Sequence, residues 1–373
     1  MNRRTLLRGV TAGSLVPAAS VGTATLGDDT AGTTTADEGA SDTGTDTDPA
    51  DGEETPVSVR IVELPDEITG GALLEWTVEV ENLTAEAIRP TLEYVVDGEQ
   101  AGNITLTVGP GETERPFPPS YRTEPVAEAD EVTVRVEVDG GVDADERTVG
   151  LRETPELDPT LQFPDPELAV QPETTVQFEV GAVDPDVFQT TTWWIDGENV
   201  GDTLANPWQG VYYVEQDAHY WQESFETDGT YEVVAGVDVD GEQYRANWTV
   251  TVTPNGLQRP TIDAARPAAG TLEVTPDESV TFELDVADPD GTLERVVWWL
   301  SQADRLLGVS DVSGASDTAT LSVDSGLCDT FQVIPWVITS DGTVTTEPVW
   351  NVSDPTLEAP ETTTAGSNSD CPY

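Results

Sequence analysis

Lysine is missing from all 373 residues; the 15 basic residues are arginines. Against them stand 72 aspartates and glutamates, giving a net charge of −57. So few bases cannot neutralise a run of phosphates, which excludes nucleic acid as a partner. Histidine occurs once, at His219, so a Ser–His–Asp triad or a multi-histidine metal centre has almost no material. No glycine-rich phosphate loop is present. Among 72 acids some pair will sit at the separation glycosidases use, about 5 to 9 Å, by chance, so acid pairs argue nothing for hydrolysis. The chain is expected not to be an enzyme. Past the N-terminus no stretch approaches 18 apolar residues, so no membrane span is expected in the mature chain.

An acid-rich chain without lysine resembles proteins of extreme halophiles, especially haloarchaea. Multimolar salt shortens the Debye length to about 3 Å, which screens self-repulsion while the charge preserves solubility. The N-terminus, MNRRTLLRGVTAGSLVPAASVG, carries Arg3 and Arg4 before a weakly apolar run. It resembles a twin-arginine export signal, over residues 1–27, with small residues suited to cleavage after Ser20 or Ala24. The resemblance implies an extracellular or cell-surface protein exported in folded form. Residues 28–56 hold no apolar side chain larger than alanine and read as a disordered acidic Thr/Asp/Gly linker.

From residue 57 the pattern changes to short alternating strands broken by Gly, Pro and Asp. LLEWTVEV sets Leu74, Trp76, Val78 and Val80 on one face and Glu75, Thr77 and Glu79 on the other. TVQFEV and SVTFELDV repeat that alternation through Phe178 and Phe282. The unit recurs: Phe178 and Phe282 are 104 positions apart, and Trp193-Trp194 and Trp298-Trp299 are 105 apart. WWIDGENVG also has a counterpart in YVVDGEQAG, beginning at Tyr94. The prediction is all-β: three tandem immunoglobulin-like β-sandwiches at 57–153, 154–255 and 256–354, with a tail at 355–373.

The first unit, through VSVRIVELPDEITGGALLEWTVEVENL, resembles cell-adhesion-related domains of archaeal exported proteins. The second and third resemble polycystic-kidney-disease-type domains, through a V-x-F-x-x-x-x-x-D-P-D strand and turn followed by a tryptophan strand. Both resemblances imply adhesion, or spacing and presentation of a surface, with a cell-surface protein or glycan as partner.

Four groups of residues are candidates for chemistry. Asp184, Asp186, Asp288 and Asp290 are oxygen ligands suited to calcium, or the caps of ordinary DPD turns. The paired tryptophans must face opposite ways on a strand; Trp194 and Trp299 are assigned inward, Trp193 and Trp298 outward. The segment 208–225 holds Trp208, Tyr212, Tyr213, Tyr220, Trp221 and Phe225. It is either an extended hairpin with extra core or a glycan platform of Trp208, Tyr212, Tyr220 and Trp221. Sequons at Asn82, Asn103, Asn247 and Asn351 mark glycosylation, with Asn247 inside a strand. Cys328 and Cys371 suit a disulfide holding the tail to the third sandwich, or a bridge between chains.

Overall fold

A computed structural model of the chain describes residues 56–202, 212, 216–275, 278–301, 305–324, 332–347 and 349–353. Arg3, Arg4, Trp208, Cys328 and Cys371 lie outside the described residues. The chain forms three tandem immunoglobulin-like β-sandwiches. In the first, Thr77–Asn82 pairs with Val57–Glu63 and Thr113–Glu114. The facing sheet orders Glu67–Thr69, Ala144–Arg152, Asp130–Val138, Thr91–Val96 and Glu99–Thr105. Strict alternation of side chains decides which face is buried: Val78, Val80, Leu92 and Val96 meet in the core while the acids between them stay at the surface.

Edges are guarded by carboxylates. The backbone N–H groups of Val59 and Ile61 donate to Asp143 Oδ2 and Asp145 Oδ2 at 2.7 and 2.8 Å. Unpaired strand N–H groups recruit other strands, and these two are occupied within the first sandwich.

In the same core, Tyr94 meets Trp76 edge to face at 6.0 Å. Its hydroxyl is buried with no hydrogen-bond partner. Burial pushes the Tyr94 phenol up to about 12. The unfolded chain ionises near pH 10, so stability is intact below about pH 10 and is lost as pH rises toward 12. Tyr94→Phe is expected to raise the melting temperature at neutral pH, because an unsatisfied hydroxyl is removed. It should also reduce that alkaline loss, leaving the share of Tyr121, whose phenol burial likewise pushes up, measured by circular dichroism melts across pH 9 to about 12 at fixed salt.

The second and third sandwiches share a further device. The first strand of each leaves one sheet, passes a proline and joins the other in parallel. A tryptophan from the final strand fixes the crossing. The Trp248 indole N–H donates to the Pro164 carbonyl at 3.0 Å, and the Trp350 indole to the Pro267 carbonyl at 2.8 Å.

The structure reverses the expected direction of the tryptophan pairs. Trp193 enters the second core, 5.9 Å from Trp248, which also packs against Phe178 at 5.2 Å. Trp298 enters the third, 6.1 Å from Phe282 and 6.2 Å from Trp350. Trp194 and Trp299 point out of their own sandwiches, yet remain 2% and 1% exposed. Neighbouring modules cover them.

Candidate functional site

The seam between the second and third modules begins with a missing piece of strand. The first strand is Val57–Glu63 in module one and Thr261–Arg266 in module three, but only Gln162–Phe163 in module two. That stub pairs with Val180 and Glu179, leaving the rest of the same edge of Thr174–Gly181 open. Module three fills it. Thr175 pairs with Val344, Val176 pairs with Thr343, and the Gln177 N–H donates to the Gly342 carbonyl at 2.8 Å. One nine-stranded sheet therefore runs through both modules.

The filling turn requires glycine. Gly342 has φ +83°, and a Cβ there would lie 2.6 Å from Cγ of Pro164 in module two. Gly342→Ala is expected to loosen the seam by about 1–3 kcal/mol. Urea unfolding of the two modules is expected in a single step for the wild type, which shares one sheet between them, and in two steps for the variant.

The sheet sandwiches a buried ion pair. Arg295 Nη2 of module three lies 3.1 Å from Glu179 Oε1 of module two, both almost fully buried. The same oxygen accepts from the Tyr212 hydroxyl at 3.0 Å and from Gln177 Nε2. Arg295 Nη1 donates to Glu294 at 2.6 Å, and the guanidinium sits over the Phe163 ring at 4.7 Å. Burial works to lower the Arg295 pKa, but the fields of Glu179, Glu294 and Tyr212 with the Glu179 hydrogen bond outweigh it, leaving it above its ordinary value. Around this pair Trp299 stacks on Trp336 at 5.8 Å and Tyr212 on Tyr220 at 5.7 Å. Val297, Ile334, Ile338 and Val344 complete an apolar cluster distinct from the sandwich cores.

Beside the seam opens a groove of about 960 Å³. Tyr220, Trp221, Ile334, Trp336 and Val344 line it together with the charged Arg259, Asp263 and Glu347. The described aromatics of 208–225 are thus interleaved rather than displayed as a flat platform. Tyr212 and Tyr220 belong to the seam, and Phe225 packs on Phe178 at 6.4 Å. Trp221 is half-buried against the second core and donates its indole N–H to Glu223 at 3.0 Å.

The first two modules meet through a more polar contact. Trp194 and Pro125 close on Gly236, where a Cβ would lie 2.8 Å from each. Arg122 bridges to Asp238 at 3.1 Å and to the Gly71 carbonyl at 3.0 Å. Burial works to raise the Asp238 carboxyl, but bonds from Gln243, Arg122 and the Gly241 N–H hold it below its usual range. Glu124 is pushed up, by burial and then by Glu232.

The remaining sequence candidates have specific places. Asp184 Oδ1 accepts the Asp186 N–H at 3.0 Å. Asp288 is buried, and its Oδ2 accepts the Thr292 N–H at 2.7 Å and hydroxyl at 3.0 Å. Asp290 reaches the N–H of Gln258 in the inter-module linker at 2.8 Å. The Asp184 and Asp288 carboxylates cap their turns and that of Asp290 ties down the linker, and among the described residues no three His, Cys, Asp or Glu converge to hold a metal ion. His219 is buried on Ala218–Phe225, its Nδ1 2.9 Å from the Thr191 hydroxyl. Asn82 is fully buried, and its amide nitrogen donates to the carbonyls of Glu86, Val108 and Gly109. Asn103 and Asn351 are exposed, while Asn247 is half-buried on its strand.

No protein-family model matches the chain, and no curated protein matches it. Solved structures are similar at low identity. The CARDB domain of a Pyrococcus furiosus protein, in complex with di-metal ions, matches 26% of this chain and 91% of its own at 17% identity, TM-score 0.23. Fibronectin(III)-like modules of Clostridium thermocellum CbhA match 53% of this chain and 95% of theirs at 12% identity, TM-score 0.23. The N-terminal eight Ig domains of Down Syndrome Cell Adhesion Molecule match 80% of this chain and 40% of theirs at 15% identity, TM-score 0.23. No helix of the described residues is long and apolar enough to cross a membrane.

Proposed function

We propose that the chain is an exported, halophilic, non-enzymatic surface protein that works in adhesion or as a spacer. The observation that carries this is the shared nine-stranded sheet between modules two and three. A spacer must hold its length, and inter-module contacts that bury an ion pair and stacked tryptophans resist bending where a flexible linker would not. The acidic linker at 28–56 would hold the rigid part away from the cell. A Cys328–Cys371 bridge would secure the other end.

Fractionating cells and medium in native salt is the direct test. The protein should appear in the envelope or medium with residues 1–27 removed. Recovery in the cytosol with the N-terminus intact overturns the reading. Non-reducing peptide mapping of the same sample reads the disulfide. Glycan-array binding that Trp221→Ala abolishes would move the function from spacing to sugar recognition.

Glycan occupancy follows from burial. A chain exported folded presents Asn103 and Asn351 but keeps the Asn82 amide inside. Mass spectrometry of the native protein is expected to find sugar at Asn103 or Asn351 and none at Asn82.

A further inference from the structure

Among the described residues, one edge of module one is bare. Glu99–Thr105 pairs with Thr91–Val96 on one side and with no strand on the other. Alternation fixes which of its groups are free. The Asp139 N–H donates to the Thr91 carbonyl at 2.9 Å, so Thr91 faces Asp130–Val138 and Leu92 faces Glu99–Thr105. Leu92 lies opposite Ile104, and the Leu106 N–H donates to the Pro90 carbonyl at 3.2 Å. Ile104 and Leu106 therefore bond inward. Asn103, Thr105 and Thr107 turn their backbone N–H and C=O groups outward, and all three residues are exposed. No described backbone group pairs with them there.

An open edge is a template for another strand, and charge is the usual guard against it. Elsewhere this chain uses that guard. Carboxylates occupy the N–H groups of Val59 and Ile61, and the corresponding edge of module two, Glu198–Asp202, is acidic at both ends. At the bare edge no charged residue lies between Glu99 and Glu112. On a chain of net charge −57, an exposed uncharged edge lets a second copy approach without setting carboxylate against carboxylate.

We infer that this edge pairs with the same edge of a second copy of the chain, antiparallel about a twofold axis at Thr105. Thr105 then opposes Thr105 of the second copy, and Asn103 opposes Thr107 of the second copy. Ile104 comes to lie beside Leu106 of the second copy. Both side chains are half-buried against the module-one core, so pairing covers apolar surface that one copy leaves in water. Glu99 and Glu112 fall opposite Gly111 and Gly98, so no acid faces an acid across the axis. The five-stranded sheet of module one becomes continuous through two copies, as one sheet already runs through modules two and three. A twofold contact closes on itself, so assembly stops at the dimer. Multimolar salt screens the remaining repulsion between the copies, so pairing belongs to high salt. The inference goes beyond the spacer reading and does not rest on it.

Sedimentation equilibrium of the full chain in multimolar potassium chloride tests this, with Asn103→Gln to keep sugar off the edge. As concentration rises the chain should become a dimer and grow no further. Thr105→Pro removes an outward N–H that no described group uses, so it should keep the fold while weakening association at least tenfold. Circular dichroism melts check the fold. Thr105→Cys sets two thiols across the axis and should cross-link into a covalent dimer under mild oxidation. Glu93→Cys, one strand further in, should not. A chain that stays monomeric at all concentrations overturns the inference. So does a dimer that survives Thr105→Pro, or cross-linking no better at position 105 than at position 93.

Discussion

Arg295→Ala should destabilise the chain by about 3–5 kcal/mol, measured by urea unfolding at constant high salt. Removing the guanidinium leaves Glu179 buried between two modules, with only the neutral Tyr212 and Gln177 as donors. The penalty is the uncompensated charge, not the loss of an intrinsically strong bond. The double variant Arg295→Met, Glu179→Leu should therefore recover most of the loss, since apolar replacement of a whole buried pair is often neutral. High salt should not rescue the single variant, because a pair 3% and 6% exposed is out of reach of mobile ions. If Arg295→Ala melts like the wild type, the pair is not buried and the seam does not form as described.

Trp193→Ala should cost about 3–5 kcal/mol, as should Trp298→Ala, because each opens a cavity where three aromatic rings meet. Their neighbours should behave differently. Trp194→Ala removes a contact with module one, so it should free the first module while leaving the second folded. Trp299→Ala removes the stack on Trp336 and should loosen the seam of modules two and three. Limited proteolysis separates the cases. Core variants lose a whole module, whereas outward variants gain cleavage between modules. Equal behaviour of Trp193→Ala and Trp194→Ala would contradict the orientation.

The sequence carried a signal for that orientation, in module one. Tyr94 aligns with Trp193, and Glu93 beside it must face water, so the first aromatic of the motif points inward. The doubled tryptophans hid this, because either parity buries an indole. Strand alternation, repeat spacing and sandwich class were legible because each module makes its own core. The seam was not. Gln177 and Glu179 look like the solvent face of TVQFEV, and only a second module's hairpin buries them. The hint was Arg295, one of only 15 bases, inside the apolar run of LERVVWWL. A buried arginine demands a buried acid, but nothing in the sequence says which of 72 it is. The burial of Asn82 was hidden in the sequence for a related reason. Asn is favoured at turns because its side chain bonds nearby backbone, and here that use consumes the nitrogen a glycan would need.

The short first strand of module two also sets a timetable. On the ribosome the edge at Thr175 waits for Val344, 169 positions later, before its pairing is complete. At roughly 5–20 residues per second that interval is about ten to thirty seconds. For that time the nascent module carries bare N–H and C=O groups, a template for pairing with the wrong strand. Modules one and three have no such wait, since their first strands are full length. Module two is therefore where synthesis is most exposed to misassembly. Truncation before residue 342 should yield a protein that aggregates through that edge, while truncation after module one should not.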